Sequence, residues 1–132
     1  MNMATQSTPR NDDDAIEREI QAKGKTAPRI IPADIEAAIV GEHYLNAGEC
    51  ALGDVRDRGP FGDPGRDASP MDLLTFCVLV LRNGFTVTGE SACASPENFD
   101  AETGRQLARE RAVAKIWPLE GYLLKQRLHE GI

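Results

Sequence analysis

The spacing of hydrophobic residues in the first third of the chain is that of helices. Isoleucines recur every four positions in two places, which gives each segment one apolar helical face: Ile16 and Ile20, then Ile31, Ile35 and Ile39. The first helix is expected from Asp14 to Gly24, because aspartates favour helix starts and glycine favours helix ends. The second is expected from Pro32 to about Gly41, followed by a short strand at residues 43–47.

A nearly continuous apolar run, Leu73–Leu81, stands in the middle of the chain and is typical of a buried central strand. Asn83-Gly84 follows it, and then Phe85–Ser91 alternates between two faces, one of them polar. An Asn-Gly pair between two strand-like runs predicts a β-hairpin with both turn residues at positive φ.

Helical spacing returns after residue 100. Asn98 or Asp100 can cap a helix expected from Ala101 to about Trp117, and Pro118 can then begin another that runs to Leu128. The fold class predicted is therefore α+β: an antiparallel β-hairpin or small sheet, packed by a long C-terminal helix and a following helix, with short N-terminal helices.

Two segments have little apolar content. Residues 1–12 are polar and are expected to be disordered. Residues 48–70 hold five glycines, three prolines and four aspartates among 23 residues, which favours a disordered loop over a functional one. The expected organisation is a disordered tail and short helix over residues 1–29, then a single α+β domain over residues 30–132.

The charge is negative and uneven. The net charge is −6, with −8 on residues 1–100 and +2 on residues 101–132, which argues against a protein that coats nucleic acid. The three cysteines follow no disulfide or zinc spacing, so neither a metal nor a cofactor is expected. No signal peptide is expected from the polar N-terminus, and the longest apolar run is too short to span a membrane, which predicts the cytosol of a cell.

Basic residues at positions 105, 109, 111 and 115 form either a solvated helix face or an anion site. The Ser95–Asn98 turn precedes that helix and is either a cap or part of a ligand clamp. Phe85 is either a core residue or a stacking platform. No nucleophile–base pair is evident, and Gly84-x-x-x-x-Gly89 lacks the lysine and hydroxyl of a phosphate-binding loop, so an enzyme is not expected.

Four segments are distinctive: PADIEAAIVGEHYL, NGFTVTGESAC, PENFD and KIWPLEGYLL. On these segments, residues 32–128 resemble a family of small tailed-phage and prophage proteins. Thoeris anti-defence sponges, which sequester cyclic ADP-ribose signals, resemble the same family. The resemblance implies an α+β homodimer or higher homo-oligomer, with pockets at the dimer interface where an aromatic ring and arginines hold a small cyclic nucleotide.

Carried over by motif position, the resemblance implies a ligand site at Phe85, Ser95, Asn98, Arg105 and Arg109. Phe85 would be the aromatic ring, and the two arginines would hold the phosphates. Ser95 stands where asparagine or aspartate is expected in relatives, which leaves the exact ligand open. An oligomer also follows from the small apolar content, because a domain this size buries little surface alone.

Three functions follow from these observations. The first is a phage protein that sequesters a nucleotide signal. The second is an interaction protein that docks on a host or phage protein through residues 48–70 or the acidic N-terminus. The third is a nucleotide-processing enzyme.

Overall fold

A computed structural model of the chain describes residues 9–25, 27–53 and 70–131, and it confirms the α+β class. Five helices and three strands lie within these residues, in the order α1, α2, β1, α3, β2, β3, α4, α5. The helices are α1 Pro9–Ala22, α2 Pro32–Ala38, α3 Ala47–Gly53, α4 Ala101–Ala114 and α5 Ile116–Glu130. The strands are β1 Ile39–Asn46, β2 Leu74–Leu81 and β3 Thr86–Ala92, in the sheet order β1-β2-β3.

The predicted hairpin is confirmed: β2 and β3 pair antiparallel, with Val80 opposite Thr86 beside the turn. Its turn differs from the prediction, because Gly84 is at positive φ (91°) and Asn83 is not. Leu81 N–H bonds to the Phe85 carbonyl, and Gly84 N–H bonds to the Leu81 carbonyl, both at 2.8 Å. These bonds enclose a loop of three residues, in which a type I turn is followed by one left-handed residue.

The sheet has two different faces. One face carries the buried residues Thr75, Cys77, Leu79 and Leu81 of β2 and Val87, Gly89 and Ser91 of β3. Helix α4 packs on this face, and Ala108, Ala112 and Ile116 complete a core with Ile35 and Ala38 of α2. The opposite face, named here the open face, carries the half-buried Leu74, Phe76, Val78 and Val80, none of which belongs to that core.

Small residues bring α4 into backbone contact with the sheet. Gly104, Ala108 and Ala112 recur every four positions along the helix, which puts them on one side of it. Ser91 Oγ donates to the Gly104 carbonyl at 2.8 Å. The contact of Gly104, Ala108 and Ala112 with the sheet is named here the seam. It fixes where α4 lies on the sheet, and therefore where α5 begins.

Strand β1 begins earlier than predicted. The isoleucine spacing predicts a helix to about Gly41, but α2 ends at Ala38 and Ile39 is already paired with Leu81. Ile39 and Val40 are β-branched residues that suit a strand, and their pairing with β2 decides the conformation. The register shifts between Ile39 and Gly41, which is a bulge in the edge strand.

The N-terminal helix also begins earlier, at Pro9, so the predicted disorder is wrong for residues 9–12; residues 1–8 lie outside the described residues. Proline suits a first helical position. Glu17 of α1 forms an ion pair with Arg29, which holds α1 beside the segment leading into α2. The hydrogen bond from Arg29, and after it one from Gln21, lowers the pKa of Glu17.

The predicted loop at 48–70 is helical at its start. Residues 48–53 belong to α3, and Asn46 Oδ1 accepts from Glu49 N–H at 3.1 Å in the manner of a cap. Asn46 Nδ2 also donates to the Asp72 carbonyl at 2.8 Å, in the short 3-10 turn Pro70–Leu73. Residues 54–69 of the predicted loop lie outside the described residues.

Helix α4 ends three residues before the predicted Trp117. Pro118 has no N–H to bond the Ala114 carbonyl, and its ring would crowd that carbonyl in a continuous helix. Lys115 therefore separates α4 from α5, and Pro118 lies in the first turn of α5. None of the described helices has the length and apolar character needed to cross a membrane.

Candidate functional site

A pocket of about 340 Å³ lies between the tip of the β2–β3 hairpin and the exposed side of α5. It is named here the hairpin-tip pocket. The described residues that line it come from two segments: Leu81, Arg82, Asn83 and Phe85 from the hairpin, and Leu119, Glu120, Tyr122 and Leu123 from α5. Its size lies at the small end of the ~300–1,000 Å³ typical of ligand pockets.

Two aromatic side chains give the pocket its character. Phe85 is 57% exposed and Tyr122 is 71% exposed, so neither is a core residue. The turn holds Phe85 firmly, because Phe85 N–H donates to Asn83 Oδ1 at 3.0 Å and its carbonyl accepts from Leu81. Exposed rings beside leucines are typical of sites that bind flat, partly apolar molecules.

A charged pair lines the same pocket. Arg82 Nη2 donates to Glu120 Oε1 at 3.0 Å, and only 8% of the Glu120 side chain is exposed. Arg82 is anchored at its backbone, where its N–H donates to the Ala38 carbonyl at 2.9 Å. The pair therefore joins the hairpin tip to α5 and supplies both hydrogen-bond donors and acceptors at the pocket wall.

Arg109 lies elsewhere, at the centre of an ion-pair cluster that joins three elements. Its Nη2 contacts Glu36 Oε1 of α2 at 2.9 Å, and its Nε contacts Glu42 Oε1 of β1 at 3.0 Å. Burial disfavours the charged guanidinium, but the hydrogen bonds to the two carboxylates outweigh it and raise the pKa of Arg109. Within one protomer, Arg109, which was predicted to bind phosphate, is therefore already paired with two carboxylates.

Tyr44 extends this cluster towards the core. Its hydroxyl donates to Glu42, and burial together with that carboxylate raises the pKa of Tyr44. Burial likewise raises the pKa of the neighbouring Cys77 thiol, which is fully buried. A thiol that keeps its proton is a poor nucleophile, so Cys77 is a packing residue.

Ser95 and Asn98 lie at the far end of β3 from Phe85. The strand between them has seven residues, which at ~3.3 Å per residue corresponds to roughly 20 Å. Ser95 Oγ donates to Glu97 Oε1 at 2.5 Å, and Asn98 ends the 3-10 turn Pro96–Asn98. The five predicted ligand residues therefore do not meet in one pocket of a single protomer.

The start of α4 is occupied by a carboxylate. Asp100, not Asn98, is the N-cap residue, and its side chain accepts from Glu102 N–H at 3.3 Å and from Thr103 Oγ1 at 2.7 Å. The bond from Thr103, then that from Glu102, lowers the pKa of Asp100. Arg105 is exposed one turn further along. A negative charge already stands where the sequence indicated an anion site.

Within the described part of the chain, no three histidine, cysteine, aspartate or glutamate side chains come together in a way that could hold a metal ion.

Comparison with known proteins identifies the chain more directly. The profile of a phage protein family, described as the N4 Gp49/phage Sf6 gene 66 family, matches residues 30–128. The chain belongs to this phage protein family. A search of curated proteins finds no match, and a search of solved structures finds none either.

In this phage protein, the matched range includes the whole hairpin-tip pocket and the Arg109 cluster, and excludes α1. Sequence reasoning found one pocket residue, Phe85, and missed Arg82, Glu120 and Tyr122. Tyr122 carried a usable signal, because Leu119, Tyr122 and Leu123 form an apolar stripe on a helix that packs elsewhere through Ile116. The pairing of Arg82 with Glu120 spans 38 positions and had no signal in the sequence.

Proposed function

We propose that this phage protein binds a small cyclic nucleotide immune signal, of the cyclic ADP-ribose type or a cyclic oligonucleotide, and sequesters it without cleaving it. The observation that carries the proposal is the hairpin-tip pocket, where Phe85 and Tyr122 stand exposed beside an arginine. The resemblance to Thoeris anti-defence sponges supports the same function.

The lining suits binding better than chemistry. Base–aromatic stacking contributes about 1–3 kcal/mol per base, and an arginine can add charge-assisted bonds to phosphate. The described residues that line the pocket include no cysteine, serine or histidine. Sequestration needs tight binding alone, which this set of side chains can supply.

Three of the ligand residues that the resemblance implies can reach this pocket only from a second copy of the chain. In one protomer Ser95, Asn98 and Arg105 lie at the opposite end of the sheet from Phe85. A homodimer or higher oligomer would let one protomer's Phe85 meet the other protomer's turn, as the resemblance implies. The apolar open face, with Phe76 and Val78 at its centre, gives such an assembly a surface to bury.

The test is retention followed by intact release. Purified protein is mixed with cyclic ADP-ribose isomers or cyclic oligoadenylates, passed through a size-exclusion filter and then heat-denatured. Mass spectrometry of the supernatant should recover the nucleotide unchanged. An enzyme would instead release a product. Calorimetric silence of the wild-type protein against the whole panel, up to about 100 μM, would reject sequestration.

A second candidate function is docking on a host or phage protein. The specific observation in its favour is the exposed apolar stripe on α5, formed by Leu119, Tyr122 and Leu123, because such a stripe can also receive a partner's apolar surface. The same experiment separates the two functions, since a docking protein leaves all of the nucleotide in the filtrate.

A further inference from the structure

We propose that α5 packs antiparallel against α5 of a second copy of the chain, with Lys115 of each copy beside Glu130 of the other. The inference goes beyond nucleotide binding, because it names the occupant of an exposed helix face and the register in which that occupant lies. It holds whether or not a nucleotide is bound.

The second half of α5 gains little from packing within its own chain. The buried residues of α5 are Ile116 and Glu120, both in its first half. From Tyr122 to Glu130, every residue except the half-buried Leu124 is exposed. Most of the stability of a helix in a protein comes from packing of one face against a partner. This half of α5 therefore lacks the contacts that a second copy would supply.

The exposed side of α5 has the spacing of a coiled coil. Four residues follow one another at intervals of four, three and four: Lys115, Leu119, Tyr122 and Gln126. Lys115 precedes α5 with helical backbone angles (φ −77°, ψ −18°), so it continues this side of the helix. At the centre, Leu119, Tyr122 and the adjoining Leu123 are 36%, 71% and 40% exposed. An apolar centre with polar ends is the usual anatomy of an interface.

The charges at the two ends select the antiparallel orientation. Lys115 lies seven residues before Tyr122, and Glu130 lies eight residues after it. In a parallel pair, each charge would meet the same charge of the other copy. In an antiparallel pair with its two-fold axis at Tyr122, Lys115 meets Glu130 of the second copy, and the contact occurs twice. Complementary charges of this kind fix orientation and register.

Both charges are available to a second copy. Lys115 and Glu130 cannot meet within one chain, because 15 positions of helix separate them by roughly 22 Å. Neither belongs to an ion pair among the described residues, and both are exposed. Glu130 Oε2 accepts from Gln126 Nε2 at 2.7 Å, which leaves its other oxygen for the contact.

The pairing also bears on the hairpin-tip pocket. Leu119, Tyr122 and Leu123 line that pocket as well as the proposed contact, and Phe85 extends the exposed apolar surface on the pocket's other side. The helix of the second copy would thus lie against the α5 wall of the pocket. The contact shares no residue with the open face, so both surfaces can be buried in one assembly.

The test exchanges charges between copies. Lys115→Glu and Glu130→Lys are made separately in the full-length chain, and masses are measured by sedimentation at low salt and pH 8, above the ordinary titration range of histidine. Within either variant alone, like charges meet at both ends of the pair, so the dissociation constant should rise about 10- to 30-fold. Mixed in equal amounts, the two variants form heterodimers in which opposite charges meet at both ends, and the wild-type mass should return. Mixing cannot repair a folding defect.

Lys125→Glu is the matched control. It makes the same change of charge, but the antiparallel pair places it opposite the uncharged Leu119, so it should associate as wild type does. The pairing is overturned if mixing the two variants raises no mass, if Lys125→Glu loses mass equally, or if the wild-type protein is a single chain. The exposed stripe on α5 is then left to a host or phage protein, as in the second candidate function. Because no nucleotide is present, a failed exchange leaves sequestration standing, and a failed nucleotide test leaves the pairing standing.

Discussion

Gly89 of β3 lies against the backbone of Ala108 in α4, so closely that a β-carbon on Gly89 would stand 2.1 Å from the Ala108 carbonyl oxygen. The same β-carbon would stand 2.3 Å from the Ala112 backbone nitrogen. Neither atom is the end of a flexible side chain. Helix and sheet therefore meet backbone to backbone at this point, and only glycine allows it.

Gly89→Ala should destabilise the fold by about 1–3 kcal/mol, because the added methyl group forces α4 away from the sheet. Urea denaturation followed by circular dichroism measures the loss. Gly121→Ala is the matched control: a β-carbon there meets nothing within 4 Å. Alanine should raise stability in the middle of α5 by about 0.5–1 kcal/mol. Equal effects of the two substitutions would contradict the close packing at Gly89.

Arg109→Ala should destabilise the protein by about 1.5–3 kcal/mol, because it leaves Glu36 and Glu42 without the guanidinium that lies between them. Chemical denaturation at low and high salt measures the effect. Arg105→Ala changes an exposed arginine on the same helix and should stay within about 0.5 kcal/mol of wild type. A variant at position 109 that denatures like wild type yet fails to bind nucleotide would point to a ligand contact instead.

Asp100 should make stability depend on pH in the acidic range. Its pKa in the folded state lies below the ordinary value of 3.8, so its contribution is present above that pH and is lost as the pH falls through the folded pKa. Asp100→Ser keeps a capping oxygen without the charge. The difference in denaturation midpoint between wild type and Asp100→Ser should shrink as the pH falls below 3.8. A difference that is the same at pH 7 and pH 3 would argue against this linkage.

Phe85→Ala and Tyr122→Ala should each weaken nucleotide binding by about 5- to 150-fold, which corresponds to the loss of one stacking contact of about 1–3 kcal/mol. Both side chains are largely exposed, so the melting temperature should change little. Leu128→Ala removes an exposed apolar side chain of α5 outside the pocket and should bind as wild type does. Thermal denaturation together with calorimetry distinguishes a lost ligand contact from a lost core contact.

Light scattering should give a mass at least twice the 14.4 kDa of one chain at micromolar concentration. Phe76→Glu places a charge in the centre of the open face, and we expect it to reduce the mass towards that of one chain. Thr88→Glu, at an exposed position at the β3 edge of the same face, should reduce it less. A wild-type mass of one chain would reject the oligomer.

Much of the fold follows from local rules. The apolar run and the Asn-Gly pair predict β2 and β3 to within one residue, and the polar-to-apolar pattern after residue 100 predicts α4. The error at the start of β1 lies where a tertiary partner overrides a local preference. Ile39 fits a helical spacing as well as a strand, and only its pairing with Leu81 decides between them.

The candidate site is harder to predict, because its contacts join distant positions. Arg109 meets Glu36 and Glu42 across 73 and 67 positions, so its acidic partners could not be foreseen from spacing. Phe85 follows from its place after the turn. The distance between Phe85 and Ser95 depends on the strand between them running straight, which a motif comparison does not measure.

The seam between α4 and the sheet also bears on how the chain reaches its folded state. β2, β3 and α4 follow one another directly between residues 74 and 114, so their contacts close short loops that cost little entropy. β1 must instead join β2 across α3 and the segment after it. We infer that the hairpin and α4 assemble first, and that amide hydrogens of β2 paired with β3 exchange more slowly than those of β1. The hairpin-tip pocket would then acquire its hairpin wall early and its α5 wall only as the helix beyond Lys115 docks.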